Sequence, residues 1–212
     1  VHTPPDSVAR RISSLKNDLV MPEAFVEQAA DYFDRTVAEV YPNVVETMRS
    51  QNTVDFDDLL VLTARLLREN PEVRARLDRQ YEYVLVDEYQ DTNVAQYAIA
   101  RGLSVDHPNL CATGDPDQSV YSWRGANLSN ILHFEEDFPG TAVVRLEQNY
   151  RSTANILSVA DHLIRHNIHR KHKDLRTENE AGSLVRVVCH RDDTSEARYL
   201  ADLVRDGVDR GG

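Results

Sequence analysis

No apolar run in the 212 residues approaches the roughly 18–20 needed to cross a bilayer, which argues against a membrane-spanning helix. There are two cysteines, Cys111 and Cys189. Two cannot make a disulfide framework, and both lie in apolar runs, so they read as small buried hydrophobes of a protein from the reducing cytoplasm. The first residues, Val1-His2-Thr3-Pro4-Pro5, have neither the basic start nor the apolar stretch of a signal peptide. They also lack an initiator Met, which predicts a processed chain or a piece of a longer one. Low-complexity tracts and internal repeats are absent. Positive charge is scarce: the net charge of −11 alone argues against a nucleic-acid partner. The distribution is uneven, however. From Val143 to Arg176 seven Lys/Arg face three acids, a local surplus of four.

What is present suffices for a folded protein. Hydrophobic residues make up 41% of the chain, enough for a core, and the length suits one domain or two small ones by the usual roughly 100–200 residues per domain. From Pro5 to about Arg49 apolar residues recur at helical spacing (Ile12, Leu15 and Leu19, then Phe25, Ala29, Tyr32 and Phe33), with Pro22 and Pro42 as punctuation. Another helix opens near Val54, with acids in its first turn, and ends at Asn70-Pro71.

The period then changes. Tyr83–Val86 and Leu110–Thr113 are short continuous apolar runs, as expected of strands buried on both faces. Ala142–Leu146 and Val185–Val188 read as a third and a fourth strand. Helices are expected at about 93–101, 128–138, 152–166 and 195–204. Strand–helix alternation predicts an α/β fold with a parallel sheet, preceded by a helical subdomain.

In open parallel sheets, ligands gather beyond the carboxyl ends of the strands. Three expected strand ends carry polar clusters. In Asp87-Glu88-Tyr89-Gln90-Asp91 one carboxylate can hold magnesium and its neighbour can activate a water; the alternative is that Asp87 only caps the next helix. In Gly114-Asp115-Pro116-Asp117-Gln118-Ser119-Val120-Tyr121-Ser122-Trp123-Arg124, aromatics interleave with a cation. That suits single-stranded nucleic acid, where rings stack on bases; the alternative makes Trp123 a core anchor. In Glu147-Gln148-Asn149-Tyr150-Arg151-Ser152, Arg151 stands just past a strand, placed to reach a phosphate, and Tyr150 is available for stacking. There the alternative is a surface cation beside a Ser152 helix cap. His162, His166, His169 and His172, spaced four, three and three, read as a polar helix end without the acid or Cys that would complete a metal site.

Together and in this order, the three segments resemble the motifs of the UvrD/Rep-type superfamily 1 helicases. Arg11–Asn17 and Asp55–Leu59 are similar to that family's helical insertion and the return from it. Arg170, His172, Lys173, Leu175, Thr177, Gly182 and Glu196-Ala197 are similar to the start of its second RecA-like domain.

The resemblance implies parts of two RecA-like parallel-sheet domains of the P-loop NTPase type. Residues 1–53 would be the C-terminal part of the helical insertion, 54–140 the C-terminal part of the first RecA-like domain, and 141–212 the start of the second. It implies ATP and Mg2+ as cofactors, with Asp87 the magnesium ligand and Glu88 the general base. Gln118 would couple nucleotide to DNA, and Tyr121, Trp123 and Arg124 would hold single-stranded DNA. Tyr150 would pack on adenine, and Arg151 would contact the γ-phosphate. The activity implied is 3′→5′ translocation and unwinding at duplex junctions in repair or replication. Two other functions fit the same residues: the motor part of a helicase–nuclease subunit, and a non-catalytic DNA-binding module.

Departures from the family pattern are few. Asn127 stands where the family often has Asp, and Arg176 where it often has Trp. None of the eight glycines precedes a Lys, so Gly-x-x-x-x-Gly-Lys-Ser/Thr does not occur in these residues. The chain by itself is therefore expected to hydrolyse no ATP, and its first sheet to leave an apolar edge or face exposed.

Overall fold

The computed structural model describes residues 3–105, 108–168, 171 and 173–209. The chain forms two units, Val1–Val144 with Asn167–His172, and Arg145–His166 with Lys173–Gly212.

The first unit opens with α1 (Pro5–Asn17), α2 (Pro22–Gln28) and α3 (Tyr32–Ser50). Pro5 and Pro22 sit in the first turn of their helices, where the missing N–H costs nothing. Pro42 is different from the sequence expectation: α3 runs straight through it. A proline there removes one helical hydrogen bond. The packing that offsets this is close by, since Val37 and Tyr41 are fully buried and Tyr41 Oη donates to Val20 O at 3.3 Å. Around them Val8, Ile12, Leu15 and Phe25 complete a core shared by the three helices.

Two further helices follow, α4 (Phe56–Glu69) and α5 (Pro71–Gln80). The latter is unforeseen: Asn70-Pro71 ends one helix, but Pro71 also starts the next. Asp55 and Asp58 form a capping box at the head of α4. Both carboxylates also take Lys16 Nζ at 2.7 Å. Lys16 is only 2% exposed. Burial opposes its charge, but the hydrogen bonds and field of Asp55 and Asp58 outweigh it and hold the ammonium above its ordinary value.

Strand β1 (Val84–Val86) pairs in parallel with β2 (Leu110–Ala112), in the register Val84↔Leu110, Leu85↔Cys111, Val86↔Ala112. The crossover is α6 (Val94–Gly102), which packs on α4. The expectation that both strands are buried on both faces fails. Leu85 is 76% exposed, and Cys111 beside it is exposed as well. Side chains alternate along a strand, so these two share one face, and nothing among the described residues covers it. Neither cysteine is a buried hydrophobe, since Cys189 is exposed too. The expected helix at 128–138 is two short ones, α7 (Ser129–Leu132) and α8 (Phe134–Asp137), parted at His133.

In the second unit α9 (Ala154–Ile164) and α10 (Asp193–Asp209) are the helices. The third and fourth expected strands, 142–146 and 185–188, form no ladder among the described residues. A strand exists only against a partner, and Val144, Leu146 and Val187 stand 79%, 83% and 88% exposed instead of being stacked in a sheet. The pairing found here is a single parallel bridge, Gln148↔Arg176. The architecture is thus mostly helical with one small parallel sheet, an α/β chain in which no second sheet forms among the described residues.

Candidate functional site

The parallel register brings the carboxyl ends of β1 and β2 side by side. Thr113 N donates to Val86 O at 2.8 Å, and Tyr89 N to Thr113 O at 2.9 Å. Asp87 therefore lies against Thr113, whose hydroxyl donates to Asp87 Oδ1 at 2.6 Å; Glu88 N donates to the same oxygen at 2.9 Å. The Thr113 hydroxyl first, and the Glu88 N–H second, hold this exposed carboxyl below the usual aspartate range. Asp87 Oδ2 accepts no hydrogen bond among the described residues. Asp87 does not cap the following helix. That role belongs to Asn93, in a capping box with Gln96, whose Oε1 accepts from Asn93 N at 3.0 Å.

Glu88 sits in the left-handed region, φ 49° and ψ 44°, uncommon for a residue with a side chain. Strain of this kind collects where a side chain must be aimed. Its Oε2 accepts from Gln90 Nε2 at 2.7 Å. Gln90 is buried, and its Oε1 accepts from Asp115 N, beyond β2, at 3.0 Å. Gly114 makes room for this: a Cβ there would stand 2.6 Å from Gln90 Oε1 and 2.8 Å from Ile131 Cδ1. Asp115 opens a 3₁₀ turn, Pro116–Gln118, by accepting from Asp117 N, and its Oδ2 accepts from Gln118 Nε2 at 2.7 Å.

The polar loop that follows is anchored from below. Asn130 Nδ2 donates to Thr92 O and Thr92 Oγ1, both at 3.1 Å, and Asn127 N donates to Thr92 O at 2.9 Å. Asn17, at the end of α1, accepts from Asn93 Nδ2 and donates to Asp57 Oδ1 at 3.0 Å. On this base Tyr121 and Trp123 stand 41% and 72% exposed, their rings 6.4 Å apart and tilted by 49°. So exposed a Trp123 anchors no core. The side chain of Arg124 lies outside the described residues.

In the second unit Asn149 Oδ1 accepts from the backbone of Arg151 and Ser152, at 3.1 and 2.8 Å, and so shapes the turn. Thr177 Oγ1 and Asn179 Nδ2 both donate to Ser152 O, and Asn149 N donates to Arg176 O. Thr153, not Ser152, is the residue before α9. Tyr150 is 84% exposed, and Arg151 is exposed with no hydrogen bond to its guanidinium among the described residues. His162 and His166 meet edge to face at 5.8 Å on α9; His169 and His172 lie outside the described residues.

The structure brings Asp87, Glu88 and Gln118 into one hydrogen-bonded cluster, with Tyr121 and Trp123 on the loop leaving it. Tyr150 and Arg151 belong to the other unit. Sequence reasoning passed over Gln90 and Thr113. Gln90 had a signal: an uncharged polar residue two places after one carboxylate, Glu88, and directly before another, Asp91. Thr113 had none, because its role depends on the strand register.

The family description of the UvrD/REP helicase N-terminal domain matches residues 2–139, and that of the UvrD-like helicase C-terminal domain residues 144–211. The chain is 44% identical over 202 residues to the ATP-dependent DNA helicase PcrA of Bacillus subtilis, covering 94% of this chain and 27% of that protein. It is 45% identical over 201 residues to PcrA of Leuconostoc citreum, covering 95% and 27%. Against PcrA of Staphylococcus aureus the identity is 42% over 189 residues, covering 89% and 26%. The chain therefore spans 26–27% of the length of these curated relatives.

Proposed function

From the premise that the chain belongs to the UvrD/REP helicase family, we propose that it is part of an ATP-driven motor that moves 3′→5′ along single-stranded DNA and unwinds duplex at junctions. The process served would be repair or replication. The observation that carries this reading is the pair of carboxylates at the end of β1, bonded into the turn from which the aromatic loop departs.

Asp87 suits a magnesium ligand. It is exposed, held ionised through Oδ1, and open at Oδ2 among the described residues. When bound, the ion would neutralise phosphate charge. Glu88, on strained backbone, takes the proton of the attacking water. Gln118 senses the γ-phosphate and, through the turn, the DNA. Tyr121, Trp123 and Arg124 hold the strand, the rings by stacking. Tyr150 packs on adenine and Arg151 meets the γ-phosphate. The phosphate loop that this chemistry requires is supplied from outside residues 1–212.

Trp123 is the one tryptophan, so the chain's indole emission reports on that side chain alone. Single-stranded oligothymidylate is expected to quench it, and Trp123→Ala to weaken binding by about 1–3 kcal/mol. Labelled DNA that binds by anisotropy without changing the emission would refute the stacking role. For the motor itself, a full-length protein containing this chain and a phosphate loop is expected to hydrolyse ATP faster when single-stranded DNA is added. An intact motor without such activity would sink the proposal.

A further inference from the structure

Gln90 stands out among the polar residues to which the reading above gives no role. It is 1% exposed, yet both ends of its side-chain amide are engaged. Nε2 donates to Glu88 Oε2 at 2.7 Å, and Oε1 accepts from Asp115 N at 3.0 Å. A third contact runs from its backbone, where Ser119 Oγ donates to Gln90 O at 3.4 Å. One side chain thus joins the carboxylate after β1 to the turn after β2. The next link, Gln118 Nε2 to Asp115 Oδ2, extends the series to the edge of the aromatic loop.

We propose that Gln90 is a positioning residue: it holds the Glu88 carboxylate in place for water activation and ties that position to the Asp115–Gln118 turn. This rests on the motor reading above. The physical argument is one of directions. A carboxylate on a free side chain samples several rotamers. A buried amide that is itself fixed at its other end removes that freedom for Glu88. The amide is fixed at its far end by Asp115 N, which donates to Oε1 in the room that the absence of a Cβ at Gly114 leaves. A shift of the turn must therefore either break the Asp115 bond or carry Gln90, and Glu88 with it. Only an amide fits: a carboxylate at this position could still accept from Asp115 N but would repel Glu88, and an aliphatic side chain would do neither.

The test uses a full-length motor containing this chain, with Gln90→Glu and Gln90→Leu. Misplacing a catalytic group by about 1 Å can cost about 100-fold, so kcat for DNA-stimulated ATP hydrolysis is expected to fall at least about 10-fold in both variants. KM for ATP and affinity for single-stranded DNA should stay within about two-fold, because Gln90 is only 1% exposed and leaves no surface for either ligand. Gln90→Glu is close to isosteric and keeps the Asp115 bond, so it decides the matter if Gln90→Leu does not fold. A Gln90→Glu motor with wild-type kcat would overturn the inference, and so would a loss that appears in KM or DNA affinity with kcat unchanged. An unmutated motor without DNA-stimulated hydrolysis would instead overturn the proposed function, and this inference with it.

Discussion

Glu88→Gln is expected to lower DNA-stimulated ATP hydrolysis by a motor containing this chain by about 10²–10⁴-fold, the usual contribution of a general base. The substitution is a clean one. The amide oxygen of the new side chain can still accept from Gln90 Nε2, the only hydrogen bond made by the Glu88 side chain among the described residues. The left-handed backbone at this position is asked to hold a residue of the same shape. Stability and binding of single-stranded DNA should then be unchanged, and only the step that needs a proton acceptor is lost. Urea unfolding, DNA anisotropy and steady-state hydrolysis, measured on the same preparation, separate these. A variant that hydrolyses ATP within about ten-fold of the wild type would remove Glu88 from the chemistry. Residues 1–212 alone are expected to hydrolyse no ATP; turnover by the isolated chain that Glu88→Gln abolishes would contradict the need for an outside phosphate loop.

Lys16→Met should destabilise the first unit by about 3 kcal/mol, near the lower end of what removing one partner of a buried ion pair costs. The aliphatic stem is nearly conserved, so the loss reports the charge. Asp55 and Asp58 are left facing one another within the cap of α4, without the ammonium that both contact at 2.7 Å. They retain some solvent, with side chains 43% and 17% exposed, and that places the cost toward the low end.

The pH dependence follows from the directions of the shifts. Asp55 is held low, by the Lys16 hydrogen bond and the Asp58 N–H against the opposing effect of burial. Its contribution is complete above the ordinary aspartate range and is lost as pH falls through its folded value. Lys16 is held high, so its contribution is complete below the ordinary value of 10.5 and fades as pH climbs past it. Across neutral pH the triad is intact. Urea midpoints of wild type and Lys16→Met should differ most there and converge in acid. A difference under about 1 kcal/mol at neutral pH would mean that the triad is replaceable.

The two strand ends were legible in the residues because apolar runs of this length, closed by acids, have few other uses. Tyr83–Val86 followed by Asp87-Glu88 and Leu110–Thr113 followed by Gly114-Asp115 mark the positions where the chain leaves the sheet. The same rule misplaced Ala142–Leu146 and Val185–Val188. β propensity describes how a segment fits a pleated surface, and these residues have no strand beside them among those described. Pro42 misled because a proline's local cost can be outweighed by tertiary packing, here by Val37 and Tyr41. The ties that assemble the site, Thr113 to Asp87, Gln90 to Asp115 and Asn17 to Asn93, span 25 to 76 positions. No periodicity carries such information. Gln96 is explained by its place in the Asn93 capping box, a pairing that a helix start selects.

Lys16 and Asn17 do more than stabilise. They bind Asp55, Asp58 and Asp57, so α2 and α3 leave the main body and return to it through one stapled doorway. Whatever is spliced in between inherits a closed frame, and the closure entropy grows slowly, about 0.6 kcal/mol for each doubling of the excursion. The staple therefore makes the region between residues 18 and 54 a natural place for lineages to differ in size: the joint at its base absorbs the change, and the carboxylates after β1 keep their register.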